Sequence, residues 1–137
     1  MGMLATAINA LALQDGFRTA GIDTVVMSAV EMPAYAETFT VRGANEALAA
    51  GKLVIFACGL GQPYFSTDTA AVLRAAEIGA DAVLMAKNID GVYTADPRKD
   101  PSAVRYDEIT YQEILKKELK ALDLSATTFC MENNIRC

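Results

Sequence analysis

Apolar positions along this chain come in two kinds of run. Leu53, Val54, Ile55, Phe56 and Ala57 follow one another without polar alternation, and residues 81–86, DAVLMA, repeat the pattern. Unbroken runs of this length, with β-branched and aromatic members, predict strands covered on both faces, as in parallel α/β sheets. Residues 23–29, DTVVMSA, add a strand after the turn at Gly21. Elsewhere the apolar spacing is helical: Ala70, Val72, Leu73, Ala76 and Ile78 predict a helix over 69–78 ended by Gly79, and a shorter helix over 44–50 closes at Gly51. Met3, Leu4, Ala5, Ala7, Ile8, Ala10, Leu11, Ala12 and Leu13 make residues 3–13 apolar nearly all round. Such a helix is buried on two sides, as a plain core helix or between the sheet and another subunit. Beyond a Pro-containing connector at 99–103 the pattern predicts a short strand within 104–111 and a charged helix over 112–122, with Glu113, Lys116, Lys117 and Lys120 on a solvated face. A last helix over 124–133 and a strand beginning at 135 follow.

Strand, helix, strand over 53–86 reads as a right-handed βαβ unit, which brings the loops after Ala57 and after Ala86 to one rim of the sheet, where they can share a ligand. The first loop carries Gly59, Gly61 and Pro63, then Ser66, Thr67 and Asp68 just before the helix. Glycines let backbone approach a ligand, and the free N–H groups of a helix N-terminus hold a phosphate or carboxylate. The same residues also suffice for a plain turn, and Asp68 is either a helix cap or a carboxylate aimed at the pocket. The loop fits neither G-x-x-x-x-G-K-[ST] nor G-x-G-x-x-G. The second loop, residues 87–97, is either a surface loop with a D-G turn and a D-P break or a nucleotide site. In the second case Tyr93 offers a flat face to a base, Asp96 accepts from ribose hydroxyls or base amines, and Lys87 brings a charge to phosphate.

Composition narrows the classes. In 137 residues, 53% are hydrophobic and 21% charged, which is one domain's worth of core and too apolar for disorder. A net charge of -5, with Lys116, Lys117 and Lys120 as the main basic cluster, argues against a nucleic-acid polymer as partner. The three cysteines, Cys58, Cys130 and Cys137, have no C-x-x-C spacing, and the chain has no histidine, so neither a metal site nor a Cys-His nucleophile is expected. They read as reduced thiols. No apolar run nears about 18 residues and the start lacks a basic leader, so no membrane span or signal peptide is expected and the location reads as cytoplasmic.

Residues 90–97, DGVYTADP, resemble a signature of the amino acid kinase family. GLGQPYFSTDTAA over 59–71 is similar to the G-T-G-N-P-F-F-T-T-D-[ST]-A-A loop of its UMP kinase (uridylate kinase) branch, and MGMLAT, FTVRGANEAL and ELKALDLSA extend the likeness over the whole chain. The DGVYTADP stretch alone leaves aspartokinase or glutamate 5-kinase open; both motifs together are specific to the UMP branch. The resemblance implies a three-layer αβα fold with a mainly parallel sheet, incomplete at both ends. It also implies phosphoryl transfer from ATP, with Mg2+, to UMP, giving UDP, in a homohexamer activated by GTP and inhibited by UTP. Leu60, Gly61, Gln62, Pro63, Tyr64, Phe65, Ser66 and Thr67 match the UMP-binding loop, and Asp68 a carboxylate that organises catalytic lysines. Tyr93 and Asp96 match ATP-binding positions, Lys87 falls at another ATP contact, and residues 3–13 match a helix at the dimer interface. Leu60 stands where the branch commonly has Thr, losing a hydroxyl, and Gln62 where it has Asn, keeping an amide.

Other parts of that machinery are not in the chain. These are a Lys-containing Gly-rich N-terminal segment, a GGGN loop, an upstream Arg and Asp, and the closing strands after Cys137. One amino acid kinase domain lacking those parts is therefore expected, a fragment that binds nucleotide weakly and catalyses little alone. The alternative is a non-catalytic nucleotide-binding or assembly module of the same fold.

Overall fold

The apolar runs near residues 24 and 53 pair with each other in a computed structural model, which describes residues 1–119 and 121–137. The described chain forms two compact units, Met1–Ala70 and Ala71–Cys137. In the first, β1 (Thr24–Ser28), β2 (Glu37–Thr38) and β3 (Leu53–Ala57) make a parallel sheet in the order β2-β1-β3, with Val26 opposite Ile55 and Met27 opposite Phe56. Side chains alternate between sheet faces, and each face has its own cover. Val26, Ile55 and Ala57 meet Ala7 and Ala10 of α1 (Gly2–Thr19). On the other face the Met27 methyl would lie 3.7 Å from a Cβ on Gly43 of α2 (Val41–Ala49), and the Phe56 ring takes an edge-on contact with Phe39 at 5.5 Å. This unit thus has the expected helix, sheet, helix layering.

Three details depart from the sequence pattern. β3 is buried only at Ala57; its first four residues are half-buried because β3 lies at an edge of the described sheet. α1 runs to Thr19, beyond the apolar stretch, because Gln14 and Arg18 still face the sheet and donate to the Thr24 carbonyl at 3.0 and 3.1 Å. Its outer side is exposed at Leu4 and Ile8, one turn apart and 56% and 70% exposed.

In the second unit Val72 and Ala75 of α3 (Thr67–Ile78) pack with Val83, and with Ala126 and Cys130 of α5 (Leu124–Glu132), and with Ile135. Residues 81–86 form no strand, contrary to the pattern: Val83 is buried and its N–H reaches the Arg136 carbonyl at 2.8 Å, but Leu84 is 93% exposed. An apolar run becomes a strand only when a neighbour accepts its ladder, and one bond is not a ladder. Nor do residues 135–137 form one. The strand expected within 104–111 is reduced to one antiparallel bridge, Arg105 with Tyr93. The charged helix shortens to α4 (Tyr111–Lys116), started by a reciprocal Thr110–Glu113 cap and ended near Glu118, whose φ is 51°. Lys120 lies outside the described residues. Cys58 and Cys130 are buried, one in each core, and Cys137 is exposed. Among the described residues no helix is long and apolar enough to cross a membrane.

Candidate functional site

The first candidate loop leaves β3 in an unusual backbone state. Cys58, Gly59, Gly61 and Tyr64 all have positive φ, at 65°, 57°, 72° and 71°. For Cys58 and Tyr64 that conformation is costly without support. Cys58 receives it from α1: its N–H donates to the Thr6 hydroxyl at 2.8 Å, while that hydroxyl donates to the Met3 carbonyl at 2.7 Å. Gly61 closes the turn through its N–H to the Cys58 carbonyl at 2.9 Å. A Cβ there would lie 2.9 Å from the Ala29 carbonyl oxygen, so the position requires glycine for space as well as for φ. The loop then presents Tyr64 and Phe65, 104% and 59% exposed, and enters α3.

Ser66 caps that helix. Its hydroxyl accepts the Thr69 N–H at 3.0 Å and its carbonyl the Ala70 N–H at 3.1 Å. Of the two readings of Asp68, the cap is therefore taken by Ser66, and Asp68 sits inside the first turn. Its carboxylate is placed where the helix dipole favours a negative charge. Residues 60–66 form the loop and Thr67 opens α3, with Leu60 and Gly61 half-buried and residues 62–67 exposed.

The second candidate loop is held by side chains. The Tyr93 hydroxyl donates to Asp90 Oδ1 at 2.9 Å, and Arg105 Nη1 lies 3.5 Å from Asp90 Oδ2. Backbone bonds flank the Tyr93–Arg105 bridge: Thr94 N–H to the Val104 carbonyl at 3.0 Å and Tyr106 N–H to the Val92 carbonyl at 2.8 Å. Asp96 Oδ1 accepts the Arg98 N–H at 3.0 Å, and Asp100 takes both the N–H and the hydroxyl of Ser102 at 2.9 and 2.6 Å. The Tyr93 bond is the leading reason that the Asp90 carboxyl is held below its ordinary range, and the same bond raises the Tyr93 phenol. Lys87 is exposed at the start of the loop and Asp96 beyond the bridge, so the three residues 87, 93 and 96 share one loop. An open concavity of about 1560 Å³ in this unit takes in Lys87, Asp90, Gly91 and Arg105 together with Val83, Ile114 and Ile135.

Thr6, Asp90 and Arg105 were not among the residues singled out by sequence. Thr6 has a faint signal, a hydroxyl within an apolar helix. Asp90 has one too, three residues before an aromatic in a D-G turn. Arg105 has none, since only the hairpin brings it to Asp90. Among the described residues no group of three or more His, Cys, Asp or Glu could hold a metal.

The sequence profile of the amino acid kinase family matches residues 1–137. A curated uridylate kinase of Agrobacterium fabrum is 53% identical over 135 residues, covering 98% of this chain and 56% of that protein. The chain thus spans little more than half the length of that relative. Among solved structures, UMP kinase from Bacillus anthracis superposes with a TM-score of 0.95 at 34% identity, over 98% of this chain and 56% of its own. UMP kinase from Ureaplasma parvum superposes with a TM-score of 0.93 at 38% identity, over 97% and 57%.

Proposed function

The chain belongs to the amino acid kinase family, and from that premise we propose that it is the nucleotide-holding part of a UMP kinase, which transfers the γ-phosphoryl group of ATP to UMP to give UDP. One observation carries this reading: a loop with four left-handed residues turns directly into the Ser66-capped start of α3. It does so in a chain 53% identical to a uridylate kinase. Such a turn lets backbone N–H groups point at an anion, and the helix start favours one.

In this reading residues 60–67 hold UMP, and the Asp68 carboxylate orients the cations that balance charge on the transferred group. Lys87, Tyr93 and Asp96 hold ATP, as phosphate counter-charge, base platform and ribose acceptor. Phosphoryl transfer is positioning plus charge neutralisation, so these residues align donor and acceptor rather than react covalently. Mg2+ enters as part of the MgATP substrate, held chiefly by phosphate oxygens, as suits an ion that keeps its waters. Both units are read as parts of one amino acid kinase domain, working in the cytoplasm. The helix over residues 3–13, with Leu4 and Ile8 exposed, is read as the surface joining copies, with a hexamer, GTP activation and UTP inhibition as the family pattern.

The test is nucleotide titration of amide NMR spectra together with an assay of UMP-dependent ADP release. UMP is expected to shift signals of residues 59–70, and MgATP those of residues 87–98, with ADP release on the order of a hundredfold or more below that of complete relatives. UMP that shifts no signal near Gly61 or Ser66 at millimolar concentration overturns the assignment. A non-catalytic module of the same family binds both nucleotides and releases no ADP in any longer form of the protein.

A further inference from the structure

We propose that Asp90 is a positioning residue for the ring of Tyr93. One of its carboxylate oxygens ties the Tyr93 hydroxyl at 2.9 Å, the other faces Arg105 at 3.5 Å, and Gly91 leaves the room that Arg105 needs. The inference deepens the reading of Tyr93 as an ATP-binding residue and rests on it.

A tyrosine on an exposed loop has two soft side-chain torsions, and a ring that swings freely loses entropy when it meets a base. Here both ends of the side chain are pinned. The backbone end is fixed by the bridge to Arg105 and its flanking bonds at 3.0 and 2.8 Å. The hydroxyl end is fixed by Asp90. Pinning both ends fixes the direction of the ring's long axis and so where the ring stands.

Arg105 completes the arrangement from the far strand of the hairpin. Its guanidinium lies between Asp90 and Asp107, at 3.5 and 3.8 Å. Its aliphatic stem crosses Gly91 so closely that a Cβ there would stand 2.8 Å from Cδ and 3.0 Å from Cγ. The D-G-x-Y order therefore has a physical meaning. Asp90 supplies the tether, Gly91 the passage for its counter-ion, and Tyr93 the platform three residues on. Because the single phenolic proton is already donated to Asp90, the side chain offers a nucleotide its face and not its proton. The depressed Asp90 carboxyl and raised Tyr93 phenol agree with a bond to the ionised carboxylate.

The experiment measures MgATP and UMP affinity of the 137-residue chain by equilibrium dialysis, for the unchanged protein and for Asp90→Ala, Asp90→Asn, Tyr93→Phe, Tyr93→Ala and the Asp90→Ala/Tyr93→Phe pair. Asp90→Ala and Tyr93→Phe are each expected to weaken MgATP about two- to tenfold, the worth of one hydrogen bond. The pair should lose no more than either alone, Asp90→Asn should recover part by keeping an acceptor, and UMP affinity should stay unchanged. A purely structural role lowers both affinities. If Asp90→Ala binds MgATP as the unchanged chain does while Tyr93→Ala loses it, or if the losses add in the pair, Asp90 does not position the ring and the ATP reading survives. If Tyr93→Ala has no effect, or the unchanged chain ignores millimolar MgATP, both readings fall.

Discussion

The two candidate loops are shaped by opposite means. Residues 58–66 are shaped by the main chain: four positive φ values, an internal N–H to carbonyl turn, and an anchor from Cys58 N–H to Thr6. Residues 87–106 are shaped by side chains on the surface, through Asp90, Tyr93 and Arg105 and through the Asp96 and Asp100 turns. A backbone-built loop is insensitive to salt and pH but intolerant of an added methyl group. A loop built of exposed charges tolerates small changes and responds to its solvent, because such pairs are individually weak and screened.

The largest expected effect is in the first loop. Gly61→Ala forces an L side chain into φ 72° and sets its Cβ 2.9 Å from the Ala29 carbonyl oxygen. A loss of about 1–3 kcal/mol in chemical denaturation is expected, with weaker UMP binding; an unchanged midpoint would mean that the loop is not held as described. Next comes Thr6→Val, which keeps the shape and removes the acceptor for the Cys58 N–H, at a cost of about 1–3 kcal/mol for a stranded buried donor. Thr6→Ser, which keeps the hydroxyl, should restore most of it.

In the second loop the same kind of change should cost little stability. Gly91 has no positive φ, and the methyl of Gly91→Ala meets only the stem of Arg105, which can swing. A change within about 0.5 kcal/mol is expected, while MgATP affinity falls several-fold; a large loss of stability would erase the contrast between the loops. The smallest effect is the pH response. The Asp90 carboxyl is depressed in the folded chain, so its contribution is complete above the ordinary carboxylate range and is lost as pH falls through its lowered value. Carbon-13 signals of the Tyr93 ring should therefore hold steady from neutral pH to below the usual Asp range and then move, whereas signals of residues 59–61 should not follow.

How legible these loops were in the sequence follows from the same contrast. The first was visible as glycines after an unbroken apolar run, since left-handed backbone selects residue types locally. Its anchor was not, because the Cys58–Thr6 bond spans 52 residues. In the second, Tyr93 and Asp96 stand out by type, but Arg105, which bridges to Tyr93 and pairs with Asp90, is 15 residues from Asp90 and nothing local marks it. The fold shows the same limit. The pattern predicts strands over 23–29 and 53–57, and Thr24–Ser28 pairs in register with Leu53–Ala57, whereas residues 81–86 look no different in sequence and form none. Apolar runs specify a wish for burial; which neighbour satisfies it is a property of the fold.

Each unit keeps a single cysteine in its core, Cys58 in the first and Cys130 in the second, and Cys137 stands exposed. An alkylating reagent should therefore modify Cys137 at once and reach the other two only through opening of the core around each. The chain carries its own pair of clocks. Two mass-resolved labelling rates that agree across a denaturant series would mean that the halves open as one cooperative body, and two that diverge would give each half its own stability.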